Sequence, residues 1–320
     1  MIAIYIHHTT SFISALEIFY AQLPHYHPQK SYIESQLKNI KTGERGESKV
    51  FRYLEEVTFK EPPMILRNFI AQVHVRRVIQ IDLVIITRRY ILLIEVKNIA
   101  GHIKFNSVPA QLIRTLPETP PQAFDCPFTQ LDRNLNGFST LFPDLQLPIY
   151  TALVWANASA TFDFSSQPPH TFITLKRLPL FVQQLEQLPL VLPDNEVQKL
   201  QQKIITKTQF FQEVPFSKRY RIERAELLEG LFCPTCHSAL KRFVRTWVCK
   251  VCNVKAHELI ALNILSQFAI HGPVLSISEI RKQLPEIGAD AIRKVLLQAG
   301  YAAEGNTNAR VYRKKIEGGD

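Results

Sequence analysis

Apolar positions recur at helical spacing through Phe12, Ala15, Leu16, Phe19 and Tyr20, predicting a helical lead-in over residues 1–40 that breaks at PHYHPQ (24–29). A second amphipathic helix is predicted over 44–57, entered through Gly43 and Gly46, with Glu47, Val50, Phe51 and Leu54 on its inward face. The pattern then switches to strand. VIQIDLVII and YILLIEVK, both rich in β-branched residues, flank Thr87-Arg88-Arg89 and read as a hairpin over 78–97. A third strand is expected near 101–105 and a fourth at PIYTALVWA (148–156). From 117 to 147 the chain reads as loop around a short helix near 129–136. Residues 177–229 read as mainly helical and Gln-rich, punctuated by Pro179, Pro189, Pro193 and Pro215.

The last part of the chain has a different rhythm. HELIALNILSQFAI (257–270) predicts an apolar helix ended by Gly272-Pro273, and Ser276-Ile-Ser-Glu279 is a capping box that opens a short helix to Leu284. ADAIRKVLLQA (289–299) predicts a third helix with Ile292, Val295, Leu296 and Ala299 on its apolar face and Arg293, Lys294 and Gln298 off it. YAAEGNTNARVYRKK then reads as two strands around a Gly-Asn turn. Three helices and a hairpin resemble a winged helix-turn-helix. In that arrangement the third helix enters the major groove, and Arg310, Arg313, Lys314 and Lys315 are wing or phosphate contacts. The alternative is a helical interaction module with a solvated charged face.

Composition narrows the classes. The chain has 320 residues, 46% hydrophobic and 21% charged, an ordinary globular balance with room for about two domains. It lacks an apolar run long enough to cross a membrane, and its start lacks the basic region of a signal peptide, so a cytoplasmic protein without membrane partners is expected. The net charge is +10, and 13 Lys and Arg against 7 Asp and Glu, a net of +6, fall in residues 231–320. A basic tail of that size favours nucleic acid as partner over membrane, with a merely solvated basic surface as the alternative. Without an exposed aromatic stacking platform in that tail, duplex DNA is favoured over single strands. No P-loop, nucleophile elbow, H-E-x-x-H or kinase signature is present.

Four of the five cysteines form two knuckles, Cys233-Pro-Thr-Cys236 and Cys249-Lys-Val-Cys252, with twelve residues between the inner pair. That spacing predicts a zinc ribbon in which the four thiolates hold one structural Zn²⁺ and leave no open coordination position. Two disulfides or a redox pair are the alternatives. His237 and His257 are read as bystanders, and Cys126 as a reduced loop thiol.

The hairpin carries the candidate chemistry. If Arg88 and Arg89 form a two-residue turn, Asp82 lies opposite Glu95, and Lys97 follows on the same face. Two carboxylates that close repel by about 3 kcal/mol at an effective dielectric near 20. A bridging divalent cation, with Lys97 nearby, would offset that repulsion; Mg²⁺ suits such oxygen donors. Glu47, on the inward face of its helix, adds a third carboxylate, although an acidic first turn favoured by the helix dipole is the alternative there. A simple salt bridge between Glu95 and Lys97 is the alternative for the hairpin.

GERGE (43–47), QIDLVII (80–86), IEVKNIAGHI (94–103) and PFTQLDRNL (127–135) together resemble the nuclease-related domain, NERD, of the PD-(D/E)xK nuclease superfamily. The resemblance covers roughly residues 40–157. It implies a restriction-endonuclease-like α/β or α+β fold, a mixed sheet flanked by helices. It further implies Glu47 as the helical acid, Asp82 and Glu95 as ligands of Mg²⁺ or Mn²⁺, Lys97 as the catalytic lysine and Gln130 as the polar residue of the following helix. The expected organisation is a lead-in (1–40), the nuclease-like domain (41–157), a mainly helical connector (158–230), a zinc ribbon (231–256) and a winged helix-turn-helix (257–320). The expected function is metal-dependent hydrolysis of DNA phosphodiesters, targeted by the C-terminal region. A non-catalytic DNA-binding regulator or scaffold is the alternative.

Overall fold

The computed structural model describes residues 3–6, 9–207, 214–244, 246–253, 257–306 and 310–315. The chain starts with a short strand, β1 (Ala3–Ile6), followed by helix α1 (Thr9–Gln22) and the 25-residue helix α2 (Lys30–Leu54). Residues 3–6 are strand rather than helix, pairing in parallel with the next strand at Ala3↔Met64 to Ile6↔Arg67. The predicted helix at 44–57 is the end of α2, and Gly43 and Gly46 lie inside it rather than at its entrance. Gly46 is required by packing: a Cβ there would come 2.7 Å from Cβ of Asn98.

Two compact units make up the chain, 1–7 with 42–211 and 8–41 with 212–320. The first unit is built on a six-stranded sheet of β1, β2 (Met64–His74), β3 (Arg77–Ile86), β4 (Ile91–Lys97), β8 (Ile149–Trp155) and β10 (Thr171–Thr174), in that spatial order. β2, β3 and β4 are antiparallel neighbours, whereas β4, β8 and β10 run parallel, so the sheet is mixed. Central β4 is buried on both faces from Ile91 to Val96, which is why its sequence reads as a continuous apolar run. One face packs Val50 and Leu54 of α2 and Leu178, Val182 and Leu185 of helix α4 (Leu178–Leu185). The other packs Phe138 of α3 (Pro127–Leu141) and Val197 and Ile204 of α5 (Asp194–Lys207).

A second sheet, β7 (Thr119–Asp125), β6 (Gln111–Leu116), β5 (His102–Asn106) and β9 (Thr161–Phe164), lies in the same unit. The strand expected near 101–105 is therefore β5, and part of the expected loop at 117–147 is strand β7. The short helix expected at 129–136 is the longer α3, with Cys126 at its N-cap and Pro127 in its first turn. The stretch 158–230 is only partly helical, because β9 and β10 each join a sheet.

In the second unit, Leu16 and Phe19 of α1 share a core with Phe216 and Tyr220 of α6 (Phe216–Tyr220) and with Ile270 of α7 (His257–His271). The hairpin β11 (Lys241–Phe243) and β12 (Thr246–Val248) stands between the cysteine knuckles. Beyond α7 come β13 (Val274–Ser276), α8 (Ile277–Gln283), α9 (Ala289–Gln298), β14 (Tyr301–Glu304) and β15 (Val311–Lys314). The capping box forms with both reciprocal bonds, Ser276 to the Glu279 N–H and Glu279 to the Ser276 N–H. A strand that sequence reading missed, β13, pairs with β15, completing a three-stranded sheet with β14. Residues 307–309, which fall within the expected wing, and the side chain of His257 lie outside the described residues.

Candidate active site

The β3–β4 turn is closed by Thr87, whose Oγ1 accepts from the N–H groups of Arg89 and Tyr90, each at 3.1 Å. The hydroxyl supplies locally what Arg88 and Arg89 cannot, since neither has the positive φ of a typical two-residue hairpin turn. The resulting register pairs Ile86 with Ile91 and Leu83 with Ile94. Carried one step further, it sets Asp82 opposite Glu95. There the ladder yields to a side chain: Val96 N–H donates to Asp82 Oδ2 at 2.7 Å.

Glu95 is buried, and its Oε1 accepts from Lys97 Nζ at 2.5 Å. Lys97 Nζ also donates to Gln130 Oε1 at 3.2 Å, bringing α3 to the site. From α2, Glu47 Oε2 accepts from Asn68 Nδ2 at 3.2 Å. The helix is held there by Asn98, whose Nδ2 donates to the Thr42 carbonyl at 2.8 Å beside the close approach at Gly46. Four elements, α2, β3, β4 and α3, thus bring Glu47, Asp82, Glu95, Lys97 and Gln130 to one end of the sheet.

Asn68 is a participant that sequence reading missed. It is buried in the middle of β2 with a left-handed φ of 52°, and its Oδ1 accepts from Gln80 Nε2 at 3.5 Å. The available signal was a polar Arg-Asn pair inside the apolar run MILRNFIAQV. An asparagine adopts the left-handed region more readily than a β-branched residue such as Ile65 or Ile70 of the same strand, and keeps a polar group to spend on Glu47.

The electrostatics are those of a site short of positive charge. Burial and then the Asp82 charge push the Glu95 carboxyl up to about 8, and the same two causes push Glu47 up to about 7. Burial likewise raises Asp82, against the pull of Lys97. For Lys97, burial disfavours the ammonium, but Glu95 and Asp82 outweigh it and hold the group charged. Glu95 Oε2 is buried and accepts no hydrogen bond from the described residues. Clustered hard oxygen donors, one of them an orphaned buried atom, fit a divalent cation such as Mg²⁺ or Mn²⁺.

A pH dependence follows with a definite sign. Glu47 and Glu95 hold protons in the folded chain that they release when unfolded, between about pH 4.5 and 8. Without divalent metal, the melting temperature is therefore expected to fall as pH rises through that window. Added Mg²⁺ or Mn²⁺ should raise it more at pH 8.5 than at pH 5.5. Thermal melts with and without metal check this; a metal effect larger at the lower pH contradicts it.

The cysteines form a separate centre. None of the five cysteines is in a disulfide, and one ligand atom from each of Cys233, Cys236, Cys249 and Cys252 lies within 4.8 Å of the others. Sulfurs bound at about 2.3 Å around a tetrahedral Zn²⁺ sit roughly 3.8 Å apart, so the cluster is compact enough to bind a metal such as zinc. His237, just beyond the first knuckle, donates to Glu17 of α1 rather than facing the sulfurs, and Glu17 also pairs with Lys41.

On α9, Ile292 and Leu296 are buried, while Arg293, Lys294 and Gln298 lie on the exposed face. Arg310, Arg313, Lys314 and Lys315 are exposed on β15 and its flanks, although Arg313 pairs with Glu304 at 3.4 Å and Arg293 with Asp290 at 3.0 Å. Among the described residues, no helix is long and apolar enough to cross a membrane.

No curated protein matches the chain. Residues 42–156, the segment carrying Glu47, Asp82, Glu95, Lys97 and Gln130, match the family model of the nuclease-related domain.

Proposed function

We propose that this protein is a metal-dependent nuclease that hydrolyses DNA phosphodiester bonds. The observation that carries the reading is the convergence of Asp82, Glu95 and Lys97 at one point of β3 and β4, with Glu95 Oε2 left without a partner among the described residues. Asp82 and Glu95 would hold Mg²⁺ or Mn²⁺, with Glu47 beside them. A divalent ion so held supplies Lewis acidity at the phosphoryl oxygen and lowers the pKa of bound water. Lys97, kept charged by Glu95 and Asp82, offsets the negative charge that grows on the phosphoryl group or orients the attacking water. Gln130, bonded to Lys97 Nζ, fixes that ammonium and offers its amide to phosphate or water. The cysteine cluster binds Zn²⁺ as a structural ion. The exposed residues of α9 and β15 contact duplex DNA, with Arg293, Lys294 and Gln298 facing the groove and the wing cations on phosphates.

The test is incubation of the purified full chain with supercoiled and with linear plasmid, with Mg²⁺ or Mn²⁺ added or omitted. Metal-dependent cutting is expected, and the relative rates on circular and linear DNA separate endonuclease from exonuclease action. Retention of DNA on a gel without cutting under any metal condition would replace this reading with that of a DNA-binding scaffold.

A further inference from the structure

The hairpin that carries Asp82 extends well beyond the site. Six residue steps (82 − 76) separate Asp82 from Arg76, roughly 20 Å of strand. The tip is exposed, with Val75 92% accessible. A bare two-stranded arm is marginally stable in water, but here α3 braces it. Arg77 donates from Nη1 to Asn136 Oδ1 at 3.0 Å and from Nη2 to the Arg133 carbonyl at 2.9 Å. Asn134 Nδ2 donates to the Gln80 carbonyl at 2.7 Å, and a Cβ on Gly137 would come within 2.5 Å of Ile79 Cγ2. The arm is thereby fixed to the helix that presents Gln130.

Arg77 is committed to that bracing. Arg76 and Arg133 are not: both are exposed, and neither guanidinium has a hydrogen-bond or ion-pair partner among the described residues. Arg133 lies three residues along α3 from Gln130, hence on the same ridge with Cβ atoms about 5–6 Å apart. Gln130 in turn touches Lys97. Lys97, Gln130 and Arg133, with Arg76 at the arm's tip, thus offer positive and polar groups leading away from the site, and the one carboxylate between Gln130 and Arg133, Asp132, is paired with His170 at 2.8 Å. Residues 62–81 contain no Asp or Glu to oppose an anion.

We infer that Arg133 and Arg76 bind backbone phosphates of duplex DNA flanking the bond held at Asp82, Glu95 and Lys97; this rests on the nuclease reading. The span suits a rigid double strand, since roughly 20 Å covers about six steps at 3.4 Å each. Arg133, next to Gln130, takes a phosphate close to the site, and Arg76 takes one farther along. The arm carries no Phe, Tyr or Trp between residues 70 and 82, so it lacks the stacking surface that unpaired bases require.

The experiment compares the full chain with its R76Q/R133Q variant for binding to a blunt duplex of about 25 base pairs, by fluorescence anisotropy over a salt series without added divalent metal. Both proteins are also measured with R293Q, K294Q and R313Q present, so that C-terminal contacts do not mask the arm. The double variant is expected to bind at least about fivefold more weakly, with the slope of log affinity against log salt smaller by about 2. R76K/R133K should keep the original slope. Both side chains are exposed, so the melting temperature should hold. Unchanged affinity and slope in R76Q/R133Q would overturn the inference, even with plasmid cutting intact. The expected loss of binding in a protein that cuts no DNA would uphold these phosphate contacts while removing the nuclease reading.

Discussion

Lys97→Ala is expected to lower metal-dependent DNA cleavage by about 10²–10³-fold, the cost typical of losing one preorganised electrostatic stabiliser. Two routes lead to that loss and can be separated. The ammonium sits 2.5 Å from Glu95 and 3.2 Å from Gln130, so on the proposed nuclease reading its removal would delete a charge from the place where phosphoryl charge would develop. It also leaves Glu95 and Asp82 without their nearest counter-charge, so Glu95, already raised to about 8, takes up a proton more readily and becomes a poorer ligand. Calorimetric titration with Mn²⁺ distinguishes the routes. Near-normal metal affinity with lost cleavage assigns Lys97 to the reacting phosphate, whereas affinity recovered only at higher pH assigns it to keeping the ligands ionised. Cleavage at the rate of the unaltered protein would remove Lys97 from the mechanism.

Cys249→Ser is expected to reduce zinc from about one ion per chain to near zero and to destabilise the second unit by several kcal/mol, as for other structural zinc sites. The size of the effect comes from where the knuckles sit. Cys233 and Cys249 are buried in the same cluster as Leu240, Leu259, Ile264, Ile292 and Leu296. Losing the metal therefore exposes one wall of the core on which α9 rests, so duplex binding should fall with it. Trp247, on β12 two residues before Cys249, is the tryptophan of this unit, and Trp155 belongs to the other. In a Trp155→Phe background, the fluorescence of Trp247 reports on the site directly. Full zinc occupancy and an unchanged melt in Cys249→Ser would sink this expectation.

The candidate site was legible in the sequence because it depends on local rules. Strand alternation and a two-residue turn set Asp82 across from Glu95 and Lys97 beside it, and the inward face of a helix delivered Glu47. The turn itself was less legible: Arg88-Arg89 argues against a tight hairpin until the hydroxyl of Thr87 is counted. What escaped is non-local. Ala3–Ile6 becomes a strand only by pairing with Met64–Arg67 about sixty residues later. Gly43 and Gly46 read as a helix entrance because the use of Gly46, close approach to Asn98, involves a partner outside the helix, while a Cβ on Gly43 would meet nothing within 4 Å. Asn68 interrupts an apolar run, and only its left-handed backbone and its bond to Glu47 make it part of the site.

The interleaving of the two units has a consequence for biosynthesis. Leu16 and Phe19 of α1 find their partners in Phe216, Tyr220 and Ile270. A ribosome adding about 5–20 residues per second needs roughly 10–40 s to make the intervening two hundred residues. Throughout that interval the greasy side of the first helix has emerged without its mate. The nascent chain thus has a built-in window of vulnerability, in which a holdase chaperone would have most to protect.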